Sequence, residues 1–276
     1  QSAPSLSHSM MILREKHMLS RGKKRVLLAM RLAAGLVFTL ALAGCPKKAE
    51  DKAHRLVLVI DPTVLRDVDA AEFNRKLGDR LRTSLADLPE DTHLDLYFVG
   101  LGQTGLPADY RASLLFDENE STDEGHRARA DSLADSVAKL VQNRWAASNE
   151  QPNDPSSCIL TALYRAEEMT KLGAKRGEHV ALVVVSDFLE ACTDTGYNFE
   201  RTIPDSIGAL PVDADLSGAD RVLMLRMQTT GAVALKDDRR LIRLWTDVLN
   251  RWQADTTAVE FTPTFPDTLV AASSRG

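Results

Sequence analysis

The hydrophobic residues of this chain form short unbroken apolar runs, separated by longer stretches in which apolar residues recur every three or four positions. Apolar runs without alternation are typical of strands buried on both faces of a parallel sheet. The longer stretches predict amphipathic helices. The predicted strands are 56–60, 94–99, 112–116, 180–185, 222–227 and 259–261, and the predicted helices are 67–86, 125–146, 158–172 and 237–253.

Strands that alternate with helices predict an α/β fold of three layers, in which a mostly parallel central sheet lies between helices. The run 112–116 is the expected exception, an antiparallel hairpin strand beside 94–99. The polar segment 188–218 predicts a long loop with room for one short helix. Sites in such sheets lie beyond the carboxyl ends of the strands. The residues that directly follow the apolar runs are therefore the candidates for function.

One further apolar run, Leu32 to Leu42, lies in a different setting. It follows the basic cluster Lys23-Lys24-Arg25 and leads into Ala43-Gly44-Cys45. A basic region, a short apolar core and small residues are typical of a secretory signal. The run is shorter than the roughly 20 apolar residues of a transmembrane helix. Leu-Ala-Gly-Cys resembles the lipobox of bacterial lipoproteins, which implies cleavage before Cys45 and lipid attached to Cys45.

This resemblance implies a mature protein that is lipid-anchored in the bacterial cell envelope. Pro46 and Lys47 follow Cys45, and the lack of an aspartate there favours the outer membrane, facing the periplasm. An ordinary signal peptide or a short membrane anchor is the alternative. The expected parts are an over-extended start plus signal peptide at 1–44, a lipidated tether at 45–54, one domain at 55–265 and a loose tail at 266–276.

The charge of the mature part restricts its partners. Of the 34 Lys and Arg residues seven lie within 1–44, against one of the 39 Asp and Glu residues, so the remainder carries a net charge of −11. An acidic domain argues against nucleic acid and anionic lipid surfaces as partners. The six histidines show no short metal-ligand spacing, which argues against a zinc site of the Cys/His kind.

Two of the apolar strands lead into an aspartate, Asp61 after the first and Asp187 after the fourth. The hydroxyl-rich turn Ser156-Ser157 opens the helix that precedes the fourth strand. This arrangement resembles the von Willebrand factor A domain over about residues 55–265. The resemblance implies a metal-ion-dependent adhesion site built from three loops. It also implies adhesion or assembly rather than catalysis.

In that family the first loop reads Asp-x-Ser-x-Ser, which Asp61 and Thr63 match in two positions. Ser157 stands where the family has a threonine, and Asp187 stands for the third loop. The resemblance therefore implies Asp61, Thr63, Ser157 and Asp187 as ligands of Mg²⁺ or Mn²⁺. Hard cations of this kind prefer oxygen ligands.

Two positions depart from the family pattern and imply a degenerate site. Leu65 has no oxygen at the third position of the first loop. Phe188 replaces the usual glycine and is expected to add bulk where a partner's carboxylate would approach. The alternative is that Asp61 and Asp187 only cap turns, because polar residues often end parallel strands.

Under this fold Cys158 and Cys192 both lie in loops at the carboxyl edge of the sheet. Lipid on Cys45 leaves them as the one possible pair in an oxidising compartment. We expect a disulfide that closes a loop of about 34 residues and contributes about 3–4 kcal/mol in the chain-entropy model. Two free thiols are the alternative.

Two short motifs match enzyme patterns but lie in the wrong context. Gly100 to Gly105 matches Gly-x-Gly-x-x-Gly, yet it follows the second strand and a hairpin loop explains it better. Ser136 to Lys139 matches Ser-x-x-Lys within a predicted helix, and no Lys-Thr-Gly follows. Trp245 and Trp252 share one face of the last helix and are expected in the core.

The function expected from these observations is a lipid-anchored, extracytoplasmic protein-binding module assisted by a divalent cation, and not an enzyme. Its partners would be a protein and, through the lipid on Cys45, the membrane. One alternative is an envelope structural lipoprotein with a non-functional metal site. The other is a hydrolase or dinucleotide-dependent enzyme, which would show a deep pocket with titratable groups of perturbed pKa.

Overall fold

The computed structural model describes residues 52–63, 69–89, 91–100, 109–113, 122–150, 157–192, 195–199, 202–210, 212–227, 235–255, 257, 259–267 and 269. Cys45 and Leu65 lie outside this set, as do residues 101–105 of the glycine-rich motif. The described strands are β1 (His54–Ile60), β2 (His93–Phe98), β3 (Tyr110–Ser113), β4 (His179–Ser186), β5 (Ala191–Cys192), β6 (Tyr197–Asn198), β7 (Arg221–Arg226) and β8 (Val259–Thr262). The described helices are α1 (Ala70–Ala86), α2 (Asp123–Glu150), α3 (Ile159–Arg176) and α4 (Leu235–Arg251).

The central sheet has the strand order β3-β2-β1-β4-β7-β8. Its strands are parallel except for β3, which pairs antiparallel with β2. This topology confirms the predicted α/β fold with one antiparallel strand. The strand order reverses between β1 and β4, and ligands of such sheets bind at this switch point.

The inner strands are apolar without interruption because both of their faces are buried. Val57 and Val59 of β1 join a core that α3 and α4 cover. Leu56, Leu58 and Ile60 join a second core on the opposite face, which α1 and α2 cover. Two cores on either side of one sheet confirm the three-layer prediction.

Capping residues define the helix ends that periodicity left uncertain. Asp69 begins α1, because its Oδ1 accepts hydrogen bonds from the backbone N–H groups of Ala71 and Glu72 at 3.0 and 3.1 Å. Gly177 ends α3 in the left-handed conformation (φ 74°), and its N–H donates to Ala174 O.

Each described helix is too short or too polar to cross a membrane.

Two segments differ from their predictions. In the described part of 188–218, β5 and β6 form a small antiparallel hairpin, and the expected short helix is not found there. The core also extends past the expected domain end at 265. Leu269 is fully buried and its N–H donates to Ser84 Oγ at 2.8 Å. Residue 269 is therefore part of the domain and not of a loose tail.

Gly218 marks a close approach between the loop before β7 and helix α3. A Cβ there would lie 2.7 Å from the backbone oxygen of Thr170. We expect Gly218→Ala to lower the free energy of unfolding by about 1–3 kcal/mol, because a backbone atom cannot move aside. Gly208→Ala is the control, since a Cβ at Gly208 would meet nothing within 4 Å. Urea unfolding measures both, and equal stability of the two variants would contradict this packing.

Candidate functional site

A buried carboxylate lies at the switch point, where three separate chain segments meet. Asp61 follows β1 and is fully buried. Its Oδ1 accepts hydrogen bonds from the backbone N–H and the hydroxyl of Thr63, at 2.9 and 2.6 Å. Its Oδ2 accepts from Ser157 Oγ at 2.5 Å and from Ser186 Oγ at 3.1 Å. Three of the four predicted ligands, Asp61, Thr63 and Ser157, are therefore in direct contact.

Ser186 also belongs to this cluster. The sequence pattern instead points to Asp187, the next polar residue after the fourth strand. The register explains the difference. Ile60 pairs with Val185, and Asp61 N–H donates to Val185 O at 2.9 Å. Ser186 is therefore the residue of β4 that reaches Asp61. The apolar runs indicate that two strands end at the same edge, but they do not reveal which residues lie side by side.

Asp187 has a different environment from Asp61. Its Oδ1 accepts a hydrogen bond from Leu189 N–H at 2.9 Å. Its negative charge acts on Arg226, the last residue of β7, which lies opposite Ser186 in the sheet. Burial lowers the pKa of Arg226, and the Asp187 carboxylate raises it. Asp187 thus follows Ser186 of the cluster in the chain, and its charge interacts with a guanidinium.

Phe188 does not crowd the approach to the site, contrary to the sequence expectation. Its side chain is 1 % exposed and packs against Trp245 and Phe261, with ring centroids 5.9 and 6.4 Å away. Its φ of 64° is in the left-handed region, which costs an L-residue about 1–2 kcal/mol. That backbone conformation would favour glycine at this position. Burial of the ring offsets the cost in this chain.

The predicted disulfide between Cys158 and Cys192 is present, with a Cα–Cα distance of 4.8 Å. It joins the start of α3 to the β5–β6 hairpin. Next to it, Ser157 and Ala191 exchange two backbone hydrogen bonds of 2.9 and 3.0 Å. The residue that donates to Asp61 Oδ2 therefore belongs to a turn that is tied covalently and by hydrogen bonds to the hairpin.

Glu190 is a second fully buried carboxylate, which the sequence analysis did not single out. Its Oε2 accepts from the N–H of Leu160 in the first turn of α3 at 3.0 Å, and its Oε1 accepts from Thr195 Oγ1 at 3.0 Å. Burial raises the pKa of the Glu190 carboxyl to about 7, and the charge of Asp61 adds to the rise. The only hint in the sequence is one acidic residue within an otherwise apolar stretch, Phe188 to Cys192.

The opposite edge of the sheet holds a buried ion network that the sequence analysis also missed. Arg55 in β1 pairs with Asp95 of β2 at 2.5 Å and with Glu178 at 2.6 Å. All three residues are at least 90 % buried. Removing one partner from such a network leaves an uncompensated buried charge. This network lies at the amino ends of the strands, and we assign it to stability.

Ser136 of the Ser-x-x-Lys motif and the two tryptophans of the last predicted helix have ordinary structural roles. Ser136 lies within α2 and its hydroxyl donates to Ser132 O at 2.8 Å. Trp245 and Trp252 are both fully buried, which confirms their expected place in the core.

A cavity of about 340 Å³ opens beside α1 and is lined by Asp69, Glu72, Phe73, Lys76, Arg80, Leu225, Met227, Pro263, Thr264 and Phe265. The Asp61 cluster is not part of that lining.

The donor set around Asp61 consists of oxygen atoms. Among the residues that the structure describes, no three His, Cys, Asp or Glu side chains form a metal-ligand group. Any cation held here would therefore depend on the hydroxyls of Thr63, Ser157 and Ser186. All four groups that donate to Asp61 are neutral, so its negative charge is hydrogen-bonded but not balanced by these contacts. Hard-oxygen donors around such a charge fit a magnesium or manganese ion.

No protein-family model matches this sequence, and no curated protein matches it significantly.

Glu190 makes the stability of the domain dependent on pH. Its folded-state pKa of about 7 lies above the ordinary value of 4.5, so stability is full below pH 4.5 and is lost as the pH rises toward 7. We expect the free energy of unfolding to fall by roughly 2–3 kcal/mol between pH 5 and pH 8 through this residue. In Glu190→Gln this loss should be absent.

Urea unfolding at a series of pH values measures this effect. Glu168→Gln, an exposed position on α3, is the control and should keep the wild-type pH profile. The same profile in Glu190→Gln as in the wild type would show that Glu190 is ionised in the folded protein throughout this range.

Proposed function

We propose that this protein is a lipid-anchored, extracytoplasmic module that binds a protein partner at the carboxyl edge of its sheet, with a divalent cation at the Asp61 cluster. The observation that carries the proposal is the convergence of Thr63, Ser157 and Ser186 hydroxyls on one buried carboxylate. The cluster lies at the topological switch point, the usual place for a ligand in an α/β sheet. The resemblance to von Willebrand factor A domains supports the same assignment.

The residues of the cluster would contribute two kinds of ligand to a cation, charged and neutral. Asp61 supplies the negative charge, and Thr63, Ser157 and Ser186 supply neutral oxygens that leave a cation electrophilic. Asp187 adds a second carboxylate at the rim, and Arg226 beside it limits the negative charge there. A bound Mg²⁺ or Mn²⁺ would supply a coordination position for a carboxylate of the partner. The protein's own groups orient this position and keep it at the sheet edge.

The envelope location is supported by two features that do not depend on cation binding. The Leu42-Ala43-Gly44-Cys45 motif supports lipid attachment. The Cys158–Cys192 disulfide supports an oxidising compartment, because disulfides persist there and are rare in the cytosol. β1 starts at His54, soon after the proposed lipid site, and runs toward Asp61. The carboxyl end of β1, which leads into Asp61, is therefore further along the chain from Cys45 than its amino end.

A second candidate function has one observation in its favour. Each oxygen of Asp61 already accepts two hydrogen bonds, so the carboxylate is satisfied without an ion. The cluster would then serve only to hold three loops together. The protein would be an envelope structural lipoprotein with a non-functional metal site.

Cation binding separates the two candidates. We expect isothermal titration with MnCl₂ to show one site in the wild type and at least tenfold weaker binding in Asp61→Asn, which removes the charge but keeps the shape. Asp79→Asn on the exposed face of α1 is the control for general charge effects. A folded wild type that binds no Mn²⁺ would favour the structural lipoprotein.

Lipid attachment has its own test. In a bacterial host fed an alkyne-labelled fatty acid, we expect the wild-type chain to take up label and to fractionate with membranes. Cys45→Ser should lose both properties, because no acyl chain can be attached there. Label or membrane association that persists in Cys45→Ser would place the anchor elsewhere in the chain.

A further inference from the structure

The turn after β4 combines a left-handed backbone with a buried aromatic ring. Phe188 has a φ of 64°, which is uncommon for a residue other than glycine, asparagine or aspartate. Such a conformation persists only where the surrounding structure determines it, and it often marks a functional turn. The turn lies between Ser186, which contacts Asp61, and the β5–β6 hairpin. What holds the turn in this conformation therefore affects the site.

Helix α4 contacts this turn through a hydrogen bond and a ring contact. Trp245 Nε1–H donates to the backbone oxygen of Phe188 at 2.9 Å. The two rings pack with centroids 5.9 Å apart, and the ring centroid of Phe261 in β8 lies 6.4 Å from that of Phe188. Trp245 is fully buried, so water cannot replace its hydrogen bond. Residues of α4 and β8 thus both contact Phe188, and these contacts together form the Phe188 clamp.

A continuous series of contacts leads from this clamp to the buried carboxylate. Phe188 N–H donates to Ser186 Oγ at 3.0 Å, and Ser186 Oγ donates to Asp61 Oδ2 at 3.1 Å. On the other side of the turn, Leu189 N–H donates to Asp187 Oδ1 at 2.9 Å. The orientations of Ser186 and Asp187 therefore both depend on the peptide groups on either side of Phe188.

We propose that Trp245 is a positioning residue, which holds the Phe188 turn in its left-handed conformation and so sets Ser186 and Asp187 toward the Asp61 cluster. Among the described residues, the hydrogen bond and ring contacts of Trp245 go to Phe188 and Phe199 and not to Asp61 or the hydroxyls around it. It acts through the backbone of Phe188, so a displacement of α4 would be transmitted to the site. The proposed effect on a bound cation rests on the proposed function. The proposed effect on the conformation of the turn is independent of that function.

Trp252 provides a matched control. It lies next to the end of α4, is as fully buried as Trp245, and its indole nitrogen has no hydrogen-bond partner among the described residues. Trp245→Phe and Trp252→Phe therefore remove similar volumes from the same core. Only Trp245→Phe removes a hydrogen bond to the turn.

Amide hydrogen exchange of the full chain, followed by NMR, tests the proposal. In Trp245→Phe we expect the amides of Phe188 and Leu189 to exchange at least tenfold faster than in the wild type. In Trp252→Phe they should stay within about threefold. Tenfold corresponds to about 1.4 kcal/mol, within the range of one buried hydrogen bond. Similar acceleration in both variants, or none in Trp245→Phe, would overturn the proposal.

Two further measurements complete the test. If Trp245→Phe does not fold, Phe261→Leu removes the second ring contact of the Phe188 clamp and should accelerate the same two amides severalfold. Titration with MnCl₂ then tests the consequence, with at least fivefold weaker binding expected in Trp245→Phe than in Trp252→Phe. Equal Mn²⁺ affinity in these two variants would overturn the positioning role. Fast exchange in Trp245→Phe with no Mn²⁺ binding by the wild type would support the clamp and remove the cation proposal.

Discussion

The buried carboxylate of Asp61 is the interaction on which the carboxyl edge of this protein depends. A charge in the core is costly unless hydrogen bonds or an opposite charge compensate it. Here the turn after β1, the start of α3 and the end of β4 each contribute a hydroxyl to the same group. The need to satisfy one carboxylate therefore fixes three loops relative to one another, and the disulfide and Glu190 tie the hairpin to the same place.

The two edges of the sheet satisfy their buried carboxylates in different ways. At the amino edge Asp95 and Glu178 both pair with Arg55, so an opposite charge within the protein faces each carboxylate. At the carboxyl edge the groups that donate hydrogen bonds to Asp61 are neutral, so these contacts do not compensate the negative charge of Asp61. The first arrangement suits a closed, stable core. The second arrangement suits a site that can accept a cation, and its place at the switch point agrees with that role.

The fold could be predicted from the sequence because burial on both faces leaves unbroken apolar runs such as Leu56 to Ile60. The site could be predicted only in part. The family resemblance implies Asp61, Thr63 and Ser157, which the structure brings together, whereas Ser186 depends on the register between β1 and β4, which no local pattern encodes. Phe188 was misjudged because a motif gives the position of a residue but not the direction of its side chain. Glu190 directly precedes a hairpin that the disulfide ties to the start of α3, and the periodicity of the sequence does not indicate this contact.

Diffraction can test directly whether the Asp61 cluster is a cation site. Crystals of the domain soaked in MnCl₂, with data collected at the manganese edge, would locate the ion by its anomalous scattering. We expect a single strong peak among the oxygens of Asp61, Thr63, Ser157 and Ser186. A map without a peak there, with all the hydrogen bonds of Asp61 unchanged, would contradict it.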